Sequence, residues 1–369
     1  MSTNKRMQVA ALSWLLGTAA FAGLSLAPSP LVAEGLAAPA AEQAKGAEAQ
    51  APSSATLAAE DYAARLEYHK ANKADLRLAP IQANDRRKAV PNDPRPPAVL
   101  APSLMLPPLP AAMEGTVRRV EIANGEKVCA LTFDLCELAT VTTGFDADII
   151  TWLQDKDIPA TLFMGGKWMR THAKRVRAIM RDPLFEIANH AWSHGNFGIM
   201  SPERMREEIL YAQAEYELLR REAIEEAGRI GIYDAGIPPV PRFFRFPYGR
   251  CCDASLKMVN ELGMRAIQWD VVAENGGRGN ASLAQGREVA DRVKPGSILL
   301  FHANLVPNGT FQLLRYVVRE LEQRGYRFVY VGELLQMGRP VVSRDGYFLR
   351  PGDNKALDAK YGIDGTGRK

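Results

Sequence analysis

From about residue 116 onward the sequence alternates short apolar runs with amphipathic segments, and this alternation constrains the fold more than any other feature. Ser201 and Pro202 open one amphipathic segment with an N-cap and a first-turn proline, and Gly263 closes another as a C-terminal glycine. Strands are predicted at 128–134, 160–165, 185–189, 242–247, 265–272, 297–303 and 327–331. Helices are predicted at 145–157, 170–183, 201–228, 253–263 and 309–325. Strands that alternate with helices predict an α/β fold with about seven parallel strands, open or closed into a barrel.

Polar side chains stand at the carboxyl ends of several predicted strands, where parallel α/β folds carry their chemistry. Three of the five histidines in the chain fall at such positions. Each of these residues alone also has a structural interpretation, so the argument rests on their combination. The set comprises Asp134, His190, His194, Arg245, Tyr248, Trp269, Asp270 and His302.

The combination predicts a hydrolytic site. His190 and His194 are four residues apart, a spacing that lets two imidazoles face one metal ion. Arg245 lies within an apolar run and therefore needs a carboxylate, for which Asp134 on a neighbouring strand is the natural partner. A bound metal would polarise a carbonyl and acidify a water, with Asp134 as general base and His302 as general acid.

Five short motifs occur in a characteristic order: TFD (132–134), HAWSH (190–194), RFPY (245–248), QWD (268–270) and LLFH (299–302). With them the sequence resembles the NodB-homology polysaccharide deacetylases, carbohydrate esterase family 4, roughly from Glu126 to Leu335. The resemblance implies a distorted (β/α) barrel. It also implies removal of acetyl groups from chitooligosaccharides, peptidoglycan, xylan or exopolysaccharides, with Zn²⁺ or another divalent ion.

The resemblance also implies a role for each matching residue. Asp134 would be the base, Arg245 its partner, and His190 and His194 metal ligands. The remaining roles are the backbone oxyanion donor at Tyr248, the wall of the acetyl pocket at Leu300, the general acid at His302, and its tuning residue at Asp270. Trp269 would orient or desolvate the acid.

One position departs from the family pattern, because Leu135 stands where the family has a second aspartate that binds the metal. Three alternatives follow. Glu137 reaches the metal, the thiolate of Cys136 binds it, or the two imidazoles are polar pocket walls without a metal. Glu137 is the expected third ligand, because Cys136 has a competing use.

That use is a disulfide. The resemblance places the loop after Asp134 near the loop that carries Cys251 and Cys252, and the fourth cysteine is Cys129. In an oxidising compartment a bond from Cys136 to Cys251 or Cys252 would clamp the two loops.

The N-terminal third of the chain differs in composition from the rest. Residues 1–33 have the basic start, apolar stretch and small residues of a signal peptide, cleaved after Ala33 or Ala40, or retained as an anchor. Residues 34–115 are rich in Ala and Pro and are predicted to be a low-order tether. A helix within it at 57–76 carries His69, which is expected to be solvated. The catalytic domain is predicted at 116–340, followed by a surface extension at 341–369.

These features define the expected function. The net charge of +4, without a basic stripe, argues against a nucleic-acid partner. The signal peptide predicts a periplasmic or extracellular protein, with membrane contact only if that segment is retained. The leading interpretation is an exported deacetylase of acetylated amino-sugar polymers. The alternatives are a catalytically silent carbohydrate-binding homologue and a small-amide hydrolase of the same fold.

Overall fold

The computed structural model describes residues 61–79, 91–229, 236–274 and 281–354, together with residues 358 and 364. The predicted signal peptide and its cleavage sites lie outside the described residues. Within the described ranges, no helix is both long enough and apolar enough to cross a membrane.

The strands and helices alternate along the described chain. The strands are β1 (Thr116–Ile122), β2 (Val128–Leu135), β3 (Ala160–Met164), β4 (Phe185–Asn189), β5 (Phe243–Phe244), β6 (Arg265–Ile267), β7 (Val271–Val272), β8 (Ser297–His302), β9 (Arg327–Phe328) and β10 (Gly338–Ser343). The helices are α1 (Tyr62–Leu76), α2 (Ala147–Lys156), α3 (Gly166–Thr171), α4 (Ala173–Met180), α5 (Pro202–Arg229), α6 (Asp253–Glu261), α7 (Leu283–Arg292), α8 (Thr310–Gln323) and α9 (Val331–Gln336).

The sheet closes into a barrel, which confirms the predicted fold class. The ring runs β1-β6-β5-β4-β3-β2-β8, and β8 returns to β1 through the pairing of Arg119 with Ser297. Neighbours from β6 round to β8 are parallel, whereas the closing contact between β1 and β8 is antiparallel. Strands β7 and β9 pair with β8 and β2, and β10 pairs antiparallel with β1.

Several elements differ from the sequence-based prediction. The expected strand at 242–247 shortens to β5, because residues Pro247–Gly249 form a tight turn in which Tyr248 has a positive φ of 58°. The expected strand at 265–272 is split into β6 and β7. Helix α7 was not predicted, since its helical pattern is interrupted by Gly286. A Cβ there would lie 2.5 Å from the side chain of Tyr316, so the glycine lets α7 and α8 approach closely.

Strand β2 positions the site through its alternating faces. All eight of its residues are buried, as a strand covered on both sides requires. Leu131, Phe133 and Leu135 pack in the outer core beneath the helices. Asp134 lies between two of them in sequence and therefore points to the opposite side, into the end of the barrel.

Helix α1 packs against the domain, and the expectation that His69 is solvated is wrong. His69 is fully buried, with its Nδ1 2.7 Å from the Asp182 carboxylate and its Nε2 3.2 Å from that of Asp157. Burial lowers the pKa of His69, but the hydrogen bond and charge of Asp182 outweigh it, so the net pKa is raised. The imidazole of His69 can be buried beneath α1 because the carboxylates of Asp182 and Asp157 contact its two nitrogens.

Candidate metal and active site

A buried carboxylate and guanidinium form the centre of the site. Asp134 ends β2 and is 3% exposed, and Arg245 follows β5 and is fully buried. The Nη1 of Arg245 donates to Oδ1 of Asp134 at 2.7 Å, while its other nitrogens donate to the carbonyls of Ile267 and Gln268. The structure therefore brings together the pair that the sequence predicted. Burial raises the pKa of Asp134, but its electrostatic interactions with His190, Arg245 and His302 outweigh burial and lower the net value.

Two imidazoles lie beside this pair. The carbonyl of Arg245 accepts a hydrogen bond from Nδ1 of His190 at 2.9 Å, so the proton of the neutral ring is on Nδ1. The Nε2 lone pair of His190 then faces Oδ2 of Asp134 at 3.3 Å and has no hydrogen-bond partner among the described residues. Ala191 and His194 both have positive φ, and this turn brings the ring of His194 to 4.9 Å from that of His190. Burial lowers the pKa of both imidazoles, which keeps them neutral.

The third member of the cluster is Cys136. Its Sγ and one nitrogen each of His190 and His194 lie within 4.8 Å of one another. Cys136 is two residues after Asp134 and shares its side of the chain, whereas Leu135 points into the outer core. Two neutral imidazoles and a thiol are the donors that Zn²⁺ accepts, and the lone pair of His190 facing a carboxylate calls for a cation between them. The residues present therefore fit a divalent metal.

Glu137 does not lie with the imidazoles, so its expected place as third ligand is corrected. Its carboxylate is buried and pairs with Nζ of Lys167 at 2.7 Å. It also accepts hydrogen bonds from the Thr171 hydroxyl at 2.5 Å and from the Thr143 amide at 3.1 Å. Three donors saturate this carboxylate, which stabilises the loop after β2.

The expected disulfide clamp is also absent, because all four cysteines are free. Cys136 turns inward, where the Asn304 side-chain amide lies 3.7 Å from its sulfur. Cys252 instead caps α6 and lies 3.4 Å from the carbonyl of Phe197. Burial raises the pKa of Cys136 well above the ordinary thiol value, so its thiolate needs a nearby cation.

His302 lies at the end of β8, in register with Asp134. Its Nδ1 is 2.7 Å from Oε2 of Glu274, and its backbone N–H donates to Oε1 of the same carboxylate at 3.0 Å. The hydroxyl of Thr310 holds that oxygen as well. Burial lowers the pKa of His302, but Glu274 outweighs it and raises the net value, which favours the protonated imidazole.

Asp270 was expected to tune His302, and the structure assigns that contact to Glu274. Asp270 accepts hydrogen bonds from the Ser297 hydroxyl at 2.8 Å and the Ile298 amide at 2.9 Å. Burial raises its pKa to about 6. Sequence reasoning missed Glu274, although an acid two residues after the predicted strand 265–272 was a usable signal.

Three further predicted residues surround the site. The ring of Tyr248 lies edge-on to His194 at 4.3 Å, and burial raises its pKa to about 12, which keeps the phenol protonated. Leu300 is fully buried in the barrel interior, two residues before His302. Trp269 does not contact His302 through its indole N–H, which donates to the carbonyl of Phe348 at 2.9 Å.

The closed ring of strands, with acid, imidazole and thiol groups at its carboxyl ends, defines a (β/α)-barrel protein with a candidate metal centre. Residues 121–267 match the family model described as polysaccharide deacetylase. This part of the chain is therefore similar to the polysaccharide deacetylases, the family that its motifs predicted.

Named relatives agree with this family. The chain is 27% identical over 218 residues to a peptidoglycan-N-acetylglucosamine deacetylase of Bacillus cereus, a match that covers 58% of this chain and 92% of that protein. It is 27% identical over 219 residues to a chitooligosaccharide deacetylase of Azorhizobium caulinodans, covering 56% and 93%. A solved peptidoglycan N-acetylglucosamine deacetylase has a TM-score of 0.50 at 22% identity, covering 62% of this chain and 97% of its own. That structure supports the fold alone.

Proposed function

We propose that this protein is an exported hydrolase that removes acetyl groups from N-acetylated amino-sugar polymers or oligosaccharides. The observation that carries the proposal is the convergence of a base, an acid and a metal-ligand cluster. Asp134 pairs with Arg245, His302 pairs with Glu274, and His190 of the ligand cluster lies against Asp134. The relatives named above, which act on peptidoglycan and chitooligosaccharide, support the substrate class.

The proposed cofactor is Zn²⁺, held by Cys136, His190 and His194. When bound there it would polarise the acetyl carbonyl and acidify the attacking water. The protein's own groups are arranged to hold it. The carbonyl of Arg245 orients the ring of His190, an outer contact of the kind that fixes a ligand's tautomer. The Asn304 side chain, which donates to the Cys136 carbonyl at 2.7 Å, fixes the chain at the third ligand.

Proton transfer is divided between the two titratable groups. Arg245 occupies Oδ1 of Asp134, so Oδ2 is the oxygen that takes a proton from water. The water oxygen attacks the acetyl carbonyl carbon as this proton leaves. The amide N–H of Tyr248 is the proposed donor to the developing oxyanion. Nδ1 of His302 is held by Glu274, so Nε2 delivers a proton to the sugar nitrogen as the C–N bond breaks. Acetic acid and the free amine are the products, and the acid then loses its proton to give acetate. Asp134 releases the proton it took from water and His302 regains one by exchange with solvent.

Export is proposed from the N-terminal composition alone. A basic start followed by an apolar stretch at residues 7–27 is the pattern of a secretory signal. A periplasmic or extracellular location would give the enzyme access to peptidoglycan or exopolysaccharide. Fractionation of cells that express the full chain tests this, and recovery only in the cytoplasm would contradict it.

Activity is tested on the full chain by acetate release from N-acetylated chitooligosaccharides and from peptidoglycan. Asp134→Asn should lower kcat by about 10²- to 10⁴-fold, because it removes the base but keeps a hydrogen bond with Arg245. Chelation should abolish the activity, and added Zn²⁺ should restore it. No acetate release from either substrate with metal present would refute the proposal.

The ligand set is tested separately by loading the protein with Co²⁺. A thiolate ligand gives a sulfur-to-cobalt charge-transfer band in the near ultraviolet, which Cys136→Ser should lose. Cys252→Ser is the matched control, since that half-buried thiol lies outside the cluster and should leave the band unchanged. The same band in both variants would remove Cys136 from the site.

A further inference from the structure

The chain beyond β10 does not simply lie on the surface. Residues 344–354 and Asp358, named here the C-terminal strap, contact the two loops that carry the site. The guanidinium of Arg118 anchors the strap: it is 3% exposed, stacks on the ring of Tyr347 at 3.6 Å, and donates to the carbonyls of Asp345 and Tyr347. Burial lowers the pKa of Arg118 to about 10, so a desolvated charge serves this attachment.

The strap lies directly against the turn that carries Tyr248. Gly249 has a φ of +70°, and a Cβ there would lie 2.2 Å from the Tyr347 carbonyl oxygen. On the other side of the contact, a Cβ at Gly346 would lie 2.4 Å from the Cys251 amide nitrogen. The two backbones can therefore touch only because each presents a glycine to the other.

The strap ends in a hydrogen-bonded turn that places Asn354 beside Tyr248. The carboxylate of Asp353 accepts hydrogen bonds from the amides of Phe348, Leu349 and Arg350, which fixes the turn. Asn354 is 6% exposed, and its side-chain amide donates to the carbonyl oxygen of Tyr248 at 3.3 Å. This contact acts on the peptide backbone of the residue proposed as oxyanion donor.

Asp358 joins the two loops to each other. Its carboxylate accepts a hydrogen bond from the Asn196 side chain at 2.8 Å and pairs with Nε of Arg250 at 2.7 Å. Asn196 is two residues after His194, and Arg250 is two residues after Tyr248. One carboxylate thus ties the loop of a metal ligand to the loop of the oxyanion donor.

We propose that Asn354 and Asp358 are positioning residues, which hold the backbone of Tyr248 and the loop of His194 in their working geometry. The inference rests on the proposed function and assigns part of the site's geometry to the C-terminal segment. A donor that is displaced loses much of its stabilisation of developing charge, because that stabilisation depends on preorganised geometry.

The test compares point variants in the full chain. Asn354→Leu keeps the side-chain volume but removes the donor, so it should lower kcat for acetate release about 10-fold with little change in KM, and Asn354→Ala should do the same. Asp358→Asn should weaken Zn²⁺ binding about 10-fold in competition with a chelator. Leu349→Ala is the control: it lies in the strap, is 63% exposed, and should match wild type in both measurements.

The outcomes separate positioning from simple packing. If Asn354→Leu restores wild-type kcat while Asn354→Ala does not, the side chain only fills space and the inference fails. Wild-type zinc affinity in Asp358→Asn also overturns its half of the inference. If the wild-type protein releases no acetate, the proposed function has failed, whereas the zinc measurement still tests the strap.

Discussion

Replacing Glu274 by Gln tests whether this residue sets the protonation of the general acid. Glu274 lies 2.7 Å from Nδ1 of His302 and raises its pKa against the effect of burial. Gln is nearly isosteric and can still accept the Nδ1 hydrogen bond, so the substitution removes the charge and the hydrogen bond that the other oxygen accepts from the His302 backbone N–H. The proposed reaction requires protonated His302, so kcat/KM should decline as pH rises through the pKa of this imidazole.

The size of the effect follows from the geometry. Two unit charges about 4 Å apart interact by about 4 kcal/mol at an effective dielectric constant of about 20, or about 3 pKa units. The His302 side chain is 23% exposed, and solvent screening reduces this figure. A shift of about 1 to 2 units is expected, within the range for a carboxylate beside a titrating group. The alkaline limb of kcat/KM should move to lower pH by that amount.

The assay is acetate release by wild type and Glu274→Gln across a pH series, at substrate concentrations well below KM. At any pH above the alkaline limbs of both proteins, kcat/KM of the variant should be about 10- to 100-fold lower than that of wild type. Asp270→Asn is the matched control, because Asp270 bonds to Ser297 and Ile298 and should leave the limb of His302 in place. An unchanged limb in Glu274→Gln, or an equal shift in Asp270→Asn, would refute the reasoning.

Three further predictions concern the fold around the site. Leu135→Asp should destabilise the protein by at least about 4 kcal/mol without tightening zinc binding, because it buries a carboxylate in the outer core; denaturant unfolding and zinc titration check this. His69 has a raised pKa when folded, so its contribution to stability is complete below about pH 6.5 and declines as pH rises through the folded value. The difference in unfolding free energy between wild type and His69→Gln should therefore shrink as pH rises above about 6.5. Thiol titration of the denatured, unreduced chain should find four thiols, and two or fewer would restore the disulfide clamp.

The barrel and the central pair could be predicted because both follow from local pattern and simple electrostatics. Alternating apolar runs and helices specify the parallel ring, and a buried arginine within an apolar run requires an acid such as Asp134. The proposed third metal ligand could not be predicted in the same way. Glu137 and Cys136 have similar positions in the sequence, and only the location of Lys167, thirty residues further on, decides between them.

The proposed role of the C-terminal segment also could not be predicted from the sequence. Its contacts join residues about 100 positions apart, such as Asn354 and Tyr248, and no periodicity or spacing encodes such a pairing. The burial of His69 could not be predicted either, since it depends on Asp182, which is far away in the sequence. Helical pattern located α1 correctly but gave no information on what the helix packs against.

The alternation of β2 has a consequence for how related chains are compared. A search for an acid directly after Asp134 examines a position that points outward, toward the helices, and would classify this chain as lacking the third ligand that we propose for it. The inward position belongs to the residue one step further along, where Cys136 stands. Whether a ligand set is complete therefore depends on which side chains of the strand point into the barrel. Counting residues from the base identifies a ligand position only after the direction of each side chain is known.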